Sequence, residues 1–172
     1  MQAELAQKLR ADRDALFEVM GDLTEEQIIT VPVVGEWTIK DAVGHISYWE
    51  GVILDHVRQS FTEGQPRPQP QDETDEIVNP REAAKRNSWS WARVRAEFEN
   101  VRGAMIDQVN SLTEAELAFQ VPNPWPGENR FYSVGQMIEE DAIGHCHEHA
   151  EQIRQKKDSP LLKERRWLSA RT

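Results

Sequence analysis

Apolar residues recur every three or four positions along four long stretches of the chain, which is the spacing of one face of a helix. Two of these stretches begin at a hydroxyl residue, Thr38 and Ser133, that is followed three positions later by Asp41 or Gln136, the spacing of a helix-capping pair. The sequence therefore predicts four long helices, at 2–20, 38–61, 80–112 and 133–157, with a break near 88 in the third and a short amphipathic helix after Pro160.

Proline-rich segments separate the predicted helices. Residues 64–75 contain Pro66, Pro68 and Pro70, a composition that favours extended chain over helix. Either a crossover between helices or a flap fits this segment.

The two halves of the chain repeat one order of features. Each half has a helix, a Leu-Thr-Glu turn, a Val-Pro pair, an irregular loop, and a helix that contains Asp-Ala-Val-Gly-His (41–45) or Asp-Ala-Ile-Gly-His (141–145). Such internal similarity indicates two like units packed together. We expect a single all-α domain over 1–172, a four-helix bundle built from two pseudo-repeated helical hairpins with long crossover loops.

A glycine precedes the repeated histidine in both halves, at Gly44 and Gly144. Glycine inside a helix costs about 1 kcal/mol relative to alanine, so some gain should offset it. We hypothesise that the second and fourth long helices approach closely at these glycines.

The strongest candidate chemistry is a set of three histidines. His145 and His149 are four residues apart and therefore share one helical face, where two rings can hold one divalent ion. The repeat supplies His45 as a third ligand, and three imidazoles with an open position are typical of a catalytic metal site. Because ligand imidazoles must be neutral, we expect metal affinity to fall below about pH 6.5.

The remaining histidines and the single cysteine fit a metal site less well. His147 points away from its two neighbours toward solvent, and His56 lies too far along its helix to reach the same ion. Cys146 is interpreted as a small buried apolar residue.

Four further residues are candidates for supporting roles, each with a simpler alternative. Asp41 and Asp141 precede a site histidine by four positions and either accept its second ring hydrogen or act in helix capping. Trp49 occupies the position equivalent to His149, as a cofactor-binding aromatic wall or as ordinary core. Glu50 is the nearest carboxylate for general-base catalysis, or else lies on a solvated face.

The charge balance argues against one class of partner. The formal net charge is −10, whereas proteins that bind phosphate backbones need basic residues. A short cluster at Lys163, Arg165 and Arg166 does not outweigh this, so we expect no nucleic-acid partner. With one cysteine, no signal-peptide pattern and no apolar run of about 18 residues, we expect a cytoplasmic protein without a membrane partner.

The segment 37–50 (WTIKDAVGHISYWE), taken with His145-x-x-x-His149-Ala-Glu-Gln-Ile-Arg154, resembles the DinB/YfiT-like superfamily of metal-binding four-helix bundles. In that family the equivalent histidines hold a divalent metal, commonly zinc or nickel, and this implies the same role for His45, His145 and His149. Asp75 and Asn79 are a looser match to a family Asp-x-x-x-Asn stretch. His147 and the proline-rich crossover depart from the usual pattern.

The resemblance implies a metal-centred enzyme for small, often electrophilic molecules, since relatives include S-transferases and isomerases that use low-molecular-weight thiols, and metal-dependent hydrolases. It also implies a homodimer. The expected function is metal activation of a thiol or water by a transferase or hydrolase. The alternative is a bundle without catalytic activity that binds a metal or small ligand in a sequestering or structural role.

Overall fold

The computed structural model describes residues 1–157. The bundle is formed by three long helices and a composite fourth one. The long helices are α1 (Gln2–Met20), α3 (Ile39–Thr62) and α5 (Trp91–Ser111), and the fourth consists of α7 (Val134–Met137), a π-helical segment (Ile138–Gly144) and α8 (His145–Lys157). The predicted all-α four-helix bundle is confirmed, whereas the predicted tail after Pro160 lies outside the described residues.

The pseudo-repeat is visible as two units with the same order of small elements between their long helices. The first unit has α2 (Glu25–Thr30) and a hairpin of β1 (Pro32–Val34) and β2 (Trp37–Thr38). The second has α6 (Glu114–Leu117) and a hairpin of β3 (Gln120–Pro122) and β4 (Phe131–Ser133). Each segment expected to be irregular thus contains a small antiparallel hairpin that leads into a bundle helix.

The start of each repeated helix is fixed by residues close in sequence. Capping boxes form at Thr24, Thr38, Thr113 and Ser133. In each, the hydroxyl accepts a hydrogen bond from the main-chain N–H three positions later, and the side chain at that position accepts one from the main-chain N–H of the capping residue. This satisfies N–H groups that have no partner within the helix. The predicted starts at Thr38 and Ser133 are confirmed.

The two long helices of each unit lie across the bundle from one another. Helix α5 packs against α1 and α3, and α8 also packs against α1 and α3, so α1 and α3 occupy opposite corners. The two long helices of each predicted helical hairpin are therefore not neighbours. The short elements between them cross the end of the bundle.

Two hydrophobic clusters fill the interior, and each takes residues from all four corners of the bundle. One contains Leu5, Ile53, Met105 and Met137, and the other contains Leu16, Val43, Phe98 and Cys146. Along α1 and the fourth helix, residues of the first cluster come before those of the second, whereas along α3 and α5 they come after. Helix α1 and the fourth helix therefore run in one direction, and α3 and α5 run in the other.

The third predicted helix begins earlier than expected. Helix α4 spans Asp75–Arg86 with Pro80 inside it, so the prediction that the third long helix starts at residue 80 is wrong. The early turn buries Val78 completely, and such packing offsets the helix hydrogen bond that proline cannot donate. The expected break near Ser88 is confirmed, since α5 begins at Trp91.

The role hypothesised for the repeated glycines is also wrong. A Cβ atom on Gly44 would lie 2.7 Å from Cδ of Arg86 in α4, and one on Gly144 would meet the carbonyl oxygen of Glu139 in its own helix. Gly44 therefore makes room for an arginine side chain, because α4 covers this part of α3.

Candidate metal centre

Three imidazole rings converge on one point between α3 and α8. Nε2 of His145 lies 2.9 Å from Nε2 of His45 and 3.1 Å from Nε2 of His149. His145 and His149 share a face because they are one turn apart in the regular part of the fourth helix, directly after the π-helical segment. The structure thus brings together all three histidines that the sequence singled out as metal ligands.

The surroundings keep these rings neutral. Burial, followed by the neighbouring rings of His145 and His149, lowers the pKa of His45 to about 3. Burial, followed by the effect of His149, lowers the pKa of His145 to about 4. Burial also lowers the pKa of His149, against an opposing hydrogen bond to Gln152. Neutral imidazole is the form that binds a metal ion.

A chain of hydrogen bonds sets the orientation of the His149 ring. The amide nitrogen of Gln152 donates to Glu148, at 3.2 Å, so the amide oxygen faces His149. That oxygen lies 2.8 Å from Nδ1 and can only accept, so Nδ1 carries the ring hydrogen. The lone pair of Nε2 is therefore directed at the other two rings.

His45 is positioned by aromatic and amide neighbours. Its ring lies 4.8 Å from the Trp37 ring, centroid to centroid. A hydrogen bond with the Asn79 side chain raises the pKa of His45, against the larger effect of burial. Asn79 Oδ1 also accepts from the indole of Trp49 at 2.9 Å. Asn79 is the positioning residue that the sequence reasoning set aside, and the Asp-x-x-x-Asn match was the signal that could have identified it.

The donor set fits a divalent transition metal. Nitrogen ligands at about 2.1 Å from one ion, with angles between 90° and 110°, lie roughly 3.0–3.4 Å apart. Nε2 of His145 lies at similar distances, 2.9 Å and 3.1 Å, from Nε2 of His45 and of His149. Three imidazoles suit zinc, nickel, copper or iron.

A cavity of about 340 Å³ opens beside the histidines. Its walls combine the rings of His45 and His145 with two tryptophans, Trp49 and Trp125, whose centroids are 5.6 Å apart. A volume in this range accommodates a small organic molecule. Trp49 therefore stands where the sequence placed an aromatic wall, as a lining residue of the cavity.

Asp141 lines the same cavity but does not orient His145. Its Oδ2 accepts hydrogen bonds from Trp125 Nε1, at 3.0 Å, and from the Tyr132 hydroxyl, at 2.9 Å. The π-helical turn that contains Asp141 changes the angular relation expected for residues four apart, so the carboxylate faces β4 and Trp125. Burial raises the pKa of Asp141, and the two hydrogen bonds oppose this change.

Asp41 takes the capping role that was one of its two alternatives. Its Oδ2 accepts from the main-chain N–H of Thr38, at 3.0 Å, and from the Thr38 hydroxyl, at 2.7 Å.

The solvated face considered for Glu50 is wrong, because this side chain is buried against Arg102. Nε of Arg102 lies 2.7 Å from Oε1 of Glu50, and Asp12 also faces the guanidinium. Burial raises the pKa of Glu50 to about 7, against the attraction of Arg102. The carboxylate is directed away from the cavity lining, and a general-base role stays a prediction that no contact supports.

The other histidines and the cysteine behave largely as expected. The His147 side chain is 72% exposed, as predicted. His56 is buried with its ring against Trp125. Cys146 is a buried apolar residue, as predicted.

Comparison with solved structures shows the same fold in proteins of low sequence identity. YfiT from Bacillus subtilis, described as a probable metal-dependent hydrolase with an unusual four-helix bundle topology, matches at 16% identity with a TM-score of 0.68, over 91% of this chain and 85% of that one. A mycothiol-dependent maleylpyruvate isomerase matches at 11% identity and a TM-score of 0.71, over 89% of this chain and 60% of that one. The colibactin self-resistance protein ClbS, solved in complex with double-stranded DNA, matches at 11% identity with a TM-score of 0.74, over 91% of this chain and 95% of that one.

Within residues 1–157 no helix is long and apolar enough to cross a membrane.

The chain was also compared with curated protein sequences and with models of protein families. Among the curated sequences none matches this chain. The family model for the DinB superfamily matches residues 8–153, which include all three histidines of the cluster. The chain therefore belongs to the DinB superfamily.

Proposed function

We propose that this chain is a divalent-metal-dependent enzyme that acts on small molecules, of the hydrolase or thiol S-transferase type. The observation that carries the proposal is a cluster of three neutral imidazoles, two of which line a cavity of about 340 Å³. His45, His145 and His149 would hold the ion. A divalent ion on three imidazoles supplies Lewis acidity, which favours the anionic form of a water or a thiol near neutral pH.

The residues around the cavity have roles that follow from their contacts. Gln152 and Asn79 hold two of the imidazoles in place. Trp49 and Trp125 exclude water from one side and present aromatic surface to a substrate. Both hydrogen bonds to Asp141 end on Oδ2, so Oδ1 is the atom that could take a proton from the nucleophile.

The neighbouring structures support this class of function without selecting a reaction. One is described as a probable metal-dependent hydrolase and another as a mycothiol-dependent isomerase, which makes both water and a thiol reasonable nucleophiles to test. The match to ClbS with DNA shows that the fold can accommodate that ligand, so the expectation of no nucleic-acid partner stays a prediction. The homodimer also stays a prediction.

The cavity favours an enzyme over a purely structural metal site. Structural zinc sites are closed by four protein ligands, whereas catalytic sites keep one position open. Here three ligand atoms lie within 4.8 Å of one another, and two of their rings line an open cavity.

Metal content is the first test. Protein purified without a nickel column and analysed by mass spectrometry should contain close to one divalent ion per chain. The His45→Ala variant and the His145→Ala, His149→Ala double variant should lose this ion. The matched control is His147→Ala, which removes an exposed histidine of the same helix and should retain it. Equal metal content in all four proteins would contradict the assignment.

Activity is the second test. The metal-loaded protein is screened with activated esters, and with electrophiles such as 1-chloro-2,4-dinitrobenzene in the presence of small thiols. We expect turnover that disappears on chelation and returns with the metal, while circular dichroism shows an unchanged fold. Unfolding on chelation would instead support the structural alternative.

A further inference from the structure

We propose that the substrate carries a positively charged group, an ammonium or a guanidinium, that binds in the cavity beside the three histidines. This inference rests on the proposed function and names the substrate class of the same site.

The carboxylates around the cavity carry the first part of the argument. Asp75, Glu140, Asp141 and Glu148 all line it, and within residues 1–157 no lysine or arginine does. Four acidic side chains converge here from α4, the π-helical segment and α8.

The existing partners of these carboxylates leave most of their charge available. Glu140 is paired with Arg130 at 2.8 Å and is therefore partly neutralised. Among the partners within residues 1–157, Glu148 accepts only from the uncharged amide of Gln152, and Asp141 accepts from an indole and a phenol. Three carboxylates thus outnumber the two positive charges of a bound divalent ion, and the cavity keeps a negative field in the metal-loaded protein.

The tryptophans carry the second, independent part of the argument. The N–H of Trp49 donates to Asn79, and the N–H of Trp125 donates to Asp141. With both donors already satisfied, what these rings offer to a ligand is their aromatic surface. The face of an indole attracts a cation, most strongly in a desolvated site, and carboxylates beside aromatic rings are a common setting for organic ammonium groups.

The arrangement also indicates how such a molecule would lie. Asp75, Glu140 and Glu148 are exposed at the mouth of the cavity, whereas His45 and His145 are partly buried at its wall. A substrate with its cationic group at the mouth could place a reactive group near the histidines. An anionic substrate would meet the same carboxylates and be repelled.

Binding of matched cationic and neutral probes tests the inference. Calorimetry at pH 7 with the metal-loaded protein compares choline with its uncharged isostere 3,3-dimethyl-1-butanol, and butylammonium with 1-butanol. We expect at least one cation to bind about tenfold or more tightly than its neutral counterpart, the ratio that roughly 1.4 kcal/mol of electrostatic and cation–π attraction produces.

Variants assign that preference to the cavity. Asp75→Asn should weaken cation binding about fivefold without changing binding of the alcohols, because it removes one nearby charge and no apolar contact. Trp125→Leu should weaken it as well. Glu99→Gln, on an exposed part of α5, is the matched control and should have no effect.

Cations that bind no more tightly than their neutral isosteres would overturn the inference, as would a preference that Asp75→Asn and Trp125→Leu leave unchanged. The outcome is separable from that of the proposed function. Metal uptake without cation preference refutes only the substrate class. Cation preference in a protein that takes up no metal leaves the binding site standing and refutes the metal-dependent enzyme.

Discussion

The side-chain oxygen of Gln152 lies 2.8 Å from Nδ1 of His149, one helical turn earlier in α8. The bond fixes which ring nitrogen carries hydrogen and which presents a lone pair to His145. The same amide is held from its other side by Glu148, so side chains on two adjacent turns of α8 cooperate to orient a single ligand.

Replacing Gln152 should therefore weaken metal binding without removing a ligand. We expect Gln152→Ala to lower zinc affinity by about tenfold or more, the range found when residues that orient a ligand histidine are lost. Competition with a chromophoric chelator measures this. Gln155→Ala is the matched control, because Gln155 donates to Glu151 on the exposed face of α8. An equal effect of both variants would show that the Gln152 contact is incidental.

The pH dependence of metal binding should differ from the one expected for ordinary histidines. Because burial lowers the pKa of His45 to about 3 and of His145 to about 4, the folded rings remain neutral well below pH 6.5. We expect zinc affinity of the folded protein to change less than about tenfold between pH 7 and pH 5, the small response of ligands that stay neutral over this range. Equilibrium dialysis tests this, and a steep loss beginning at pH 6.5 would contradict it.

The same shifts predict how stability depends on pH. A histidine whose folded pKa is depressed contributes stability above its unfolded pKa and loses it as the pH falls toward the folded value, because the unfolded chain takes up protons first. Burial lowers the pKa of His56 to about 4 from 6.5. This corresponds to roughly 3 kcal/mol of unfolding free energy lost between pH 7 and pH 4. Urea unfolding at a series of pH values gives the unfolding free energy as a function of pH. Between about pH 7 and pH 4 this free energy should fall less steeply for His56→Gln than for the parent protein. For the exposed control His147→Gln it should fall as steeply as for the parent.

Two glycines of α3 should respond in opposite directions to alanine. At Gly44 the new methyl group would lie 2.7 Å from Arg86, whose guanidinium is held by two bonds of 2.7 Å to Glu97. We expect Gly44→Ala to cost about 1–2 kcal/mol of unfolding free energy through overpacking. Apart from the adjoining backbone of α3, no atom of residues 1–157 lies within 4 Å of the corresponding position at Gly51, so Gly51→Ala should stabilise the protein by up to about 1 kcal/mol. Urea unfolding of both variants decides the matter, and the same sign of change in both would be inconsistent with this packing.

Glu50 should matter for stability rather than for metal uptake. It lies with Arg102 and Asp12 in a buried polar layer, between the two hydrophobic clusters by its position along α3. Arg102→Met would leave the buried carboxylates without a positive partner and should cost about 3–5 kcal/mol of unfolding free energy. The double variant Arg102→Met, Glu50→Leu should recover part of this loss. Metal content of Glu50→Gln should equal that of the parent, and loss of the ion in this variant would reinstate a role for Glu50 at the site.

Short-range patterns carried much of the correct prediction. The starts of α3 and of the fourth helix follow from pairs three residues apart, Thr38 with Asp41 and Ser133 with Gln136, and such contacts join residues that are close in sequence. The shared face of His145 and His149 is equally local. The third ligand, His45, lies far from the other two in sequence, and it was predicted from the duplication that pairs it with His145 and from the family resemblance.

What the sequence alone determined, then, were the helices, their caps, the duplication and the three histidines, since each depends on spacing along the chain. Only the tertiary structure decided that α1 and α3 lie across the bundle, that α4 starts early enough to bring Asn79 to His45, and that Glu50 faces Arg102 instead of the cavity. Those features depend on which apolar faces pack together and on where charges can be paired once water is excluded. They are settled by contacts between residues far apart in sequence, which no local pattern encodes.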